Sequence, residues 1–366
     1  MGGGEAEVAG GSGGPFTSAR RKASERNRTT ATPATQRPAR KTGSVRGRLD
    51  SREKWETSNE NRRLRKGGGY AILPAMKNLS VCSWSYQKST AGVAAEMKKN
   101  GIDHVQLALC PFIDPKAVVP GGAGDSEKIG GTGGAEPIDV QRRQVEKLLS
   151  DGEWKLSATM FNSAYEDYSS LDAIKATGGI VPDEHWEENR ELIRKAVALT
   201  KEWAAPLFML HVGFLDESDK AALAKFTDRV KFIRDLCGES GVDLILETGQ
   251  ERAADLAEFL SANEGVYVNL DPANIILYNK GNPVEAVKIL APWIRHVHVK
   301  DACYTKVPGT WGTEVVWGEG EVNAPAFLTA LKEIGFGGYL AVEREAGNDR
   351  AGEIALALRR LREFQP

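Results

Sequence analysis

From residue 77 onward, short apolar or β-branched runs alternate with longer amphipathic stretches, the pattern of strands joined by helices around a parallel sheet. The first strand is expected over residues 79–84, with a helix over 90–100 that ends at Gly101. A second strand over 104–109 precedes a Gly-rich loop at 120–134 and a helix over 138–149. The third strand, 155–161, leads through a long loop carrying Tyr165 and Tyr168 to a helix over 183–203, where Ile193, Val197 and Leu199 recur at helical spacing. The fourth, 207–211, is followed by a helix over 220–237, with Gly238 in the position expected of a C-terminal cap. Strands five to eight fall at 242–247, 266–271, 295–298 and 339–343, and their helices at 252–260, 283–290, 325–334 and 350–361. Eight such units imply an α/β TIM (β/α)8 barrel. An open doubly wound sheet has the same alternation, but no G-x-G-x-x-G follows the first strand. The glycines of 120–134 therefore read as a surface loop or lid.

The last residues of strands five to eight are Glu247, Asp271, His298 and Glu343. In a parallel barrel the C-terminal strand ends converge on one face. Three carboxylates and an imidazole are costly to desolvate together unless a cation neutralises them, so the quartet reads as a metal site. A single charged strand end would read as solvated, and Asp271 before Pro272 is also a turn initiator; four in consecutive strands favour ligands. Period-two alternation places Glu247 with Ile245 and Glu343 with Ala341 on one side. It also puts His296, His298 and Lys300 on one face; His298 is nearer the strand end and the better ligand, with His296 deeper and packed. Glu345 competes with Glu343. One nitrogen and three hard oxygens suit Mn²⁺, Mg²⁺ or Co²⁺ ahead of Zn²⁺.

Charge divides the chain. The first 76 residues carry 16 Lys and Arg against 7 Asp and Glu, which out of totals of 48 and 50 leaves 32 against 43 for the other 290. Residues 1–75 are rich in Gly, Ser and Arg and lack periodic apolar positions, so they cannot offset the entropy of ordering and are expected to be a disordered basic extension to a barrel over 76–366. Met76 opens Met-Lys-Asn-Leu directly before the first strand, so part of the arm is compatible with an extension upstream of a second start site. Apart from Phe16 and Trp55 its charges lack aromatic interleaving, and the barrel is acidic, so no nucleic-acid partner is expected. Arg20-Arg21 has no apolar stretch after it, and no run approaches a membrane span. Cys82, Cys110, Cys237 and Cys303 form no C-x-x-C spacing. A cytoplasmic setting without membrane association is expected.

The order Glu247, Asp271, His298, Glu343, together with His296-Val297-His298-Val299-Lys300-Asp301, the stretch Trp317-Gly318-Glu319-Gly320-Glu321-Val322 and the strand Tyr339-Leu340-Ala341-Val342-Glu343, resembles the xylose isomerase-like TIM barrel family of sugar phosphate isomerases and epimerases over roughly residues 77–366. The resemblance implies one divalent metal ion held by Glu247, Asp271, His298 and Glu343. It implies isomerisation or epimerisation of a ketose, ketose phosphate or keto sugar through a metal-bound enediolate, with Glu247 and Glu343 as the acid/base pair. An inosose-type dehydratase and a sugar-binding barrel without turnover are the alternatives.

Within that reading His211 is a substrate contact near the metal or a packed core histidine. Lys300 binds a substrate oxyanion or pairs with Asp301, Gln250 positions a hydroxyl, and Arg344 ranks below Lys300. Trp84 and Trp311 stack on a sugar face or pack. Asn274 stands where many relatives have histidine, three residues after the strand-six aspartate, and can still hydrogen-bond a hydroxyl. That asparagine, only five histidines in all, and no Asp-x-His after strand seven point away from an AP endonuclease. The expected partner is a small-molecule sugar, and a homo-oligomer is compatible with the pattern. Removing residues 1–75 should leave far-UV circular dichroism and cooperative thermal unfolding unchanged; loss of cooperativity would make the arm part of the fold.

Overall fold

Strand alternation sorts the side chains of one closed sheet into two apolar clusters, one inside the sheet and one beneath the helices. The computed structural model describes residues 78–113, 137–163, 165–213 and 219–364. The expected extension at 1–75 and the Gly-rich loop at 120–134 lie outside the described residues.

The strands are β1 (Leu79–Cys82), β2 (His104–Ala108), β3 (Lys155–Phe161), β4 (Leu207–Leu210), β5 (Asp243–Glu247), β6 (Val266–Leu270), β7 (Ile294–Val299), β8 (Asp301–Cys303), β9 (Thr313–Val315) and β10 (Tyr339–Val342). The helices are α1 (Thr90–Lys99), α2 (Cys110–Ile113), α3 (Ile138–Ser150), α4 (Leu171–Thr177), α5 (Asp183–Glu202), α6 (Lys220–Ser240), α7 (Ala253–Ala262), α8 (Pro272–Leu277), α9 (Pro283–Leu290), α10 (Ala324–Glu333) and α11 (Arg350–Glu363). Eight strands close a parallel barrel in the order β1-β10-β7-β6-β5-β4-β3-β2, and β8 pairs with β9 in a separate antiparallel ribbon. The expected eight-unit barrel is therefore the observed architecture.

One set of alternate residues, including Val81, Leu107, Phe208, Leu246 and Val297, packs with Ile193 and Val197 of α5 and Val230 and Ile233 of α6. The other set, including Cys82, Ala158, Met160, Leu207, Met209, Ile245 and Ala341, fills the barrel interior. Polar side chains in that interior pair with one another: Ser80 Oγ lies 2.8 Å from Ser157 Oγ, and His296 Nδ1 2.8 Å from Asn269 Oδ1, while Asn269 Nδ2 has no partner among the described residues. Among the described residues no helix is long and apolar enough to cross a membrane.

Several boundaries differ from the sequence expectation. β1 stops at Cys82, and residues Ser83–Tyr86 turn into a 3-10 helix that carries Trp84. α6 does not close at Gly238 but runs to Ser240, because Gly241, at φ +73°, takes the left-handed cap and returns its N–H to Cys237 and Gly238 carbonyls. Asp271 and Glu343 stand one residue beyond their strands.

The loop that leaves the barrel after β7 is anchored by Asp301. Its buried carboxylate accepts the backbone N–H groups of Ala302 (2.9 Å), Gly318 (2.9 Å), Gly320 (3.1 Å) and Val322 (3.1 Å). Gly320 is demanded by this close approach, since a Cβ there would meet Asp301 Oδ1 at 2.2 Å. Asp301→Ala strands these donors and should cost about 2–4 kcal/mol in a denaturant titration. A loss within error of zero would mean that the loop holds itself.

Candidate metal centre

β5, β6, β7 and β10 are consecutive neighbours in the barrel, so side chains at their C-terminal ends meet without any long reach. Glu247 is the last residue of β5, and His298 lies inside β7. Asp271 is both the end of one strand's run and the N-cap of α8, with Pro272 at the first helical turn. Its Oδ1 accepts N–H from Ala273 (2.8 Å) and Asn274 (3.0 Å). Its Oδ2 has no hydrogen-bond partner and turns toward His298, so the turn-initiating and the site readings of this aspartate are both realised, one oxygen each.

One ligand-capable atom from each of Glu247, Asp271, His298 and Glu343 lies within 4.8 Å of the others, and all four residues are buried. His298 Nδ1 is 3.1 Å from Glu247 Oε1, 3.4 Å from Asp271 Oδ2 and 3.1 Å from Glu343 Oε2, and makes no hydrogen bond. The opposite ring nitrogen, Nε2, is 2.8 Å from Gln106 Oε1. Lys300 Nζ stands 3.0 Å from Glu343 Oε2 and 3.8 Å from Asp271 Oδ2, and donates to Glu345. Trp84 Nε1–H donates to Glu343 Oε1 at 2.8 Å, and Asn274 Nδ2 to Glu247 Oε1 at 3.2 Å. His211 Nε2 is 3.2 Å from Glu247 Oε2. Thr248 Oγ1 ties the ends of β5 and β6 by accepting Asp271 N–H at 2.8 Å.

The titration behaviour follows from crowding. Burial would raise the Glu343 carboxyl, but His298 and Lys300 outweigh it and hold Glu343 well below the usual range. Burial would lower His298, yet Glu343 and its neighbours push that imidazole well above its ordinary value. For Asp271 burial wins and the carboxyl rises. Burial also pushes Glu345 up to about 7, against the pull of Lys300. Three carboxylates face one imidazole and one ammonium at the centre, an imbalance that a divalent cation in contact with the unpartnered Asp271 Oδ2 and His298 Nδ1 would remove. Three oxygens and one nitrogen form a donor set suited to such an ion.

The structure therefore brings together Glu247, Asp271, His298 and Glu343, and places His211, Asn274, Lys300 and Trp84 directly against them. For two of these neighbours the structure separates the alternatives left open by the sequence. Trp84 does not offer an open ring face: it is 5% exposed, and the 3-10 turn aims its N–H at Glu343. Lys300 does not pair with Asp301, whose oxygens are taken by backbone amides, and instead bridges Glu343 and Glu345. Trp311 packs edge-on against Tyr278, ring centroids 4.8 Å apart, and Gln250 lies beside the same Tyr278. Glu345 faces Lys300, His296 is hydrogen-bonded deeper in the barrel, and Arg344 points away to Glu314 and Glu353. Sequence reasoning overlooked Gln106, whose inward position with His104 and Ala108 was readable from alternation in β2. It also overlooked Glu166, which follows β3, accepts Gly179 N–H at 3.0 Å and feels the charge of His211 and Glu247.

A family model described as xylose isomerase-like TIM barrel matches residues 96–364. The uncharacterized protein YihM of Escherichia coli is 30% identical over 113 residues, which are 30% of this chain and 34% of that protein, so the match spans about a third of its length. A xylose isomerase domain protein from Planctomyces limnophilus superposes with a TM-score of 0.64 at 25% identity, covering 78% of this chain and 95% of that one. A xylose isomerase-like TIM barrel protein from Mycobacterium smegmatis, solved in complex with magnesium, gives 0.57 at 17% identity, with 80% and 98% covered. L-ribulose 3-epimerase gives 0.55 at 15% identity, with 79% and 96% covered.

If the four side chains take up a cation, Mn²⁺ or Co²⁺ at a hundred times its dissociation constant should stabilise the fold by about 2.7 kcal/mol. The rise in unfolding temperature should be reversed by a chelator and absent in Asp271→Ala. Equal shifts in wild type and variant would place the ion elsewhere.

Proposed function

The chain belongs to the xylose isomerase-like TIM barrel family, and from that premise we propose that it is a divalent-metal-dependent isomerase or epimerase of a ketose, ketose phosphate or keto sugar. The observation that carries this reading is the meeting of three buried carboxylates and the unpaired Nδ1 of His298 at the mouth of the barrel. Glu247, Asp271, His298 and Glu343 would hold the ion, with Mn²⁺, Mg²⁺ or Co²⁺ suited to their hard oxygens. When bound, the ion would draw electron density from the carbonyl of a hydroxy-ketone and so acidify the neighbouring C–H.

The chain's own residues supply the proton transfers. Glu247 on β5 and Glu343 after β10 flank Asp271 and His298, which come from the two strands between them. That placement suits removal of a proton on one side of an enediolate and its return on the other. Their settings differ. Glu343 is held ionised by His298 and Lys300, the form that accepts a proton, with Trp84 on its other oxygen; Glu247 has one oxygen fixed by Asn274 and the other beside His211, whose side chain is 22% exposed and can pass a proton toward solvent. A dehydratase would use the same first step and then need an acid at the departing hydroxyl. His211 is placed to serve as that acid, which keeps dehydration as the second reading.

The test is deuterium incorporation from heavy water across a panel of ketoses, ketose phosphates, inososes and 3-keto sugars. Glu247→Gln and Glu343→Gln should each slow exchange by about 10²–10⁴-fold. Exchange undiminished in both would remove them as acid and base, and product that keeps the substrate's composition apart from the incorporated deuterium, against product lacking water, separates epimerase from dehydratase.

A further inference from the structure

We propose that Gln106 is the positioning residue of this centre: it fixes the hydrogen on Nε2 of His298 and so commits the Nδ1 lone pair to the cation. The inference rests on His298 being a ligand, as read above. Gln106 projects from β2 into the barrel, fully buried, and reaches across the interior to β7. Its Oε1 is 2.8 Å from His298 Nε2 and 3.4 Å from Cys82 Sγ, and its Nε2 is 3.2 Å from Met209 Sδ.

The orientation of that amide is decided by its other neighbours. A thioether has no hydrogen to give, so only the NH₂ end of Gln106 can bond Met209. The oxygen must then face Cys82 and His298. Cys82 offers S–H to it, and His298 must offer N–H, because an acceptor nitrogen facing an amide oxygen would leave two lone pairs opposed. With Nε2 carrying hydrogen, the neutral ring has its lone pair on Nδ1, the atom surrounded by Glu247, Asp271 and Glu343. The inner apolar cluster, which contains Met209 and Cys82, is thus coupled to the electronics of the centre through one amide.

Three full-length variants test this: Gln106→Leu, which removes the acceptor; Gln106→Glu, which keeps one; and Met209→Leu, which conserves volume but frees the amide. Proton–nitrogen NMR of histidine-labelled protein has only five histidines to resolve. In metal-free wild type, at a pH high enough to leave the ring neutral, the His298 Nε2–H should be present and slow to exchange, and it should be fast or lost in Gln106→Leu. Titration with Co²⁺, followed by its visible absorption, should show about a 10–100-fold weaker dissociation constant in Gln106→Leu. Gln106→Glu should bind as tightly as wild type, and Met209→Leu should fall between them. A folded Gln106→Leu with wild-type Co²⁺ affinity would overturn the proposal, as would a His298 Nε2 without hydrogen in wild type. If Gln106→Leu does not fold, Met209→Leu decides: unchanged exchange and affinity would sink the idea. Wild type that takes up no Co²⁺ would instead refute the four-ligand reading, while the metal-free spectrum still decides for or against Gln106.

Discussion

Three carboxylate oxygens of buried side chains lie within 3.4 Å of one imidazole nitrogen, and the rest of the site is organised around that concentration of charge. Buried carboxylates repel one another strongly where the local dielectric is low. The arrangement survives because donors hold individual oxygens: Trp84 and Lys300 on Glu343, Asn274 on Glu247, and the N-terminal amides of α8 on Asp271. On Asp271 the donors take one oxygen and leave the other turned to His298, whereas Glu343 has a donor on each oxygen and Asn274 holds the Glu247 oxygen that faces His298. A site of this kind is stabilised from its periphery and remains short of positive charge at its centre.

Closed parallel topology is what makes such crowding attainable. Four neighbouring strands deliver their final residues to a single rim, and the barrel interior beneath them is filled by Met209, Ile245, Ala341 and paired polar side chains. The rim residues are thus held by packed layers below and by loops above. Thr248 joins two of the strand ends directly, and Asp301 holds the chain that leaves β7 away from the centre. Polar residues that would be liabilities in an ordinary core are concentrated at the one end of the barrel where a ligand can reach them.

Much of this was legible in one dimension. Alternating apolar runs located every barrel strand, and the glutamate, aspartate and histidine at the ends of strands five to eight were conspicuous because polar residues interrupt otherwise apolar segments. Local signals failed where two solutions were equally good. Gly238 and Gly241 could each cap a helix, and only the left-handed conformation at Gly241 distinguishes them. Trp84 could have continued its strand with an open ring face, but the 3-10 turn redirected its indole N–H. Lys300 had an acidic sequence neighbour in Asp301, whose oxygens are claimed by amides almost twenty residues away.

By itself, the sequence determined the barrel and the set of residues at its rim, because both are periodic properties: strand spacing sets the fold, and period two sets which side chains face inward. Only the tertiary structure decided which partner each polar atom has. Gln106 on His298, Trp84 on Glu343 and His211 on Glu247 join residues 192, 259 and 36 positions apart, contacts that no local spacing encodes. Hydrogen bonding depends on direction over a few tenths of an ångström, and that precision arises only when the sheet closes and brings distant strands into register.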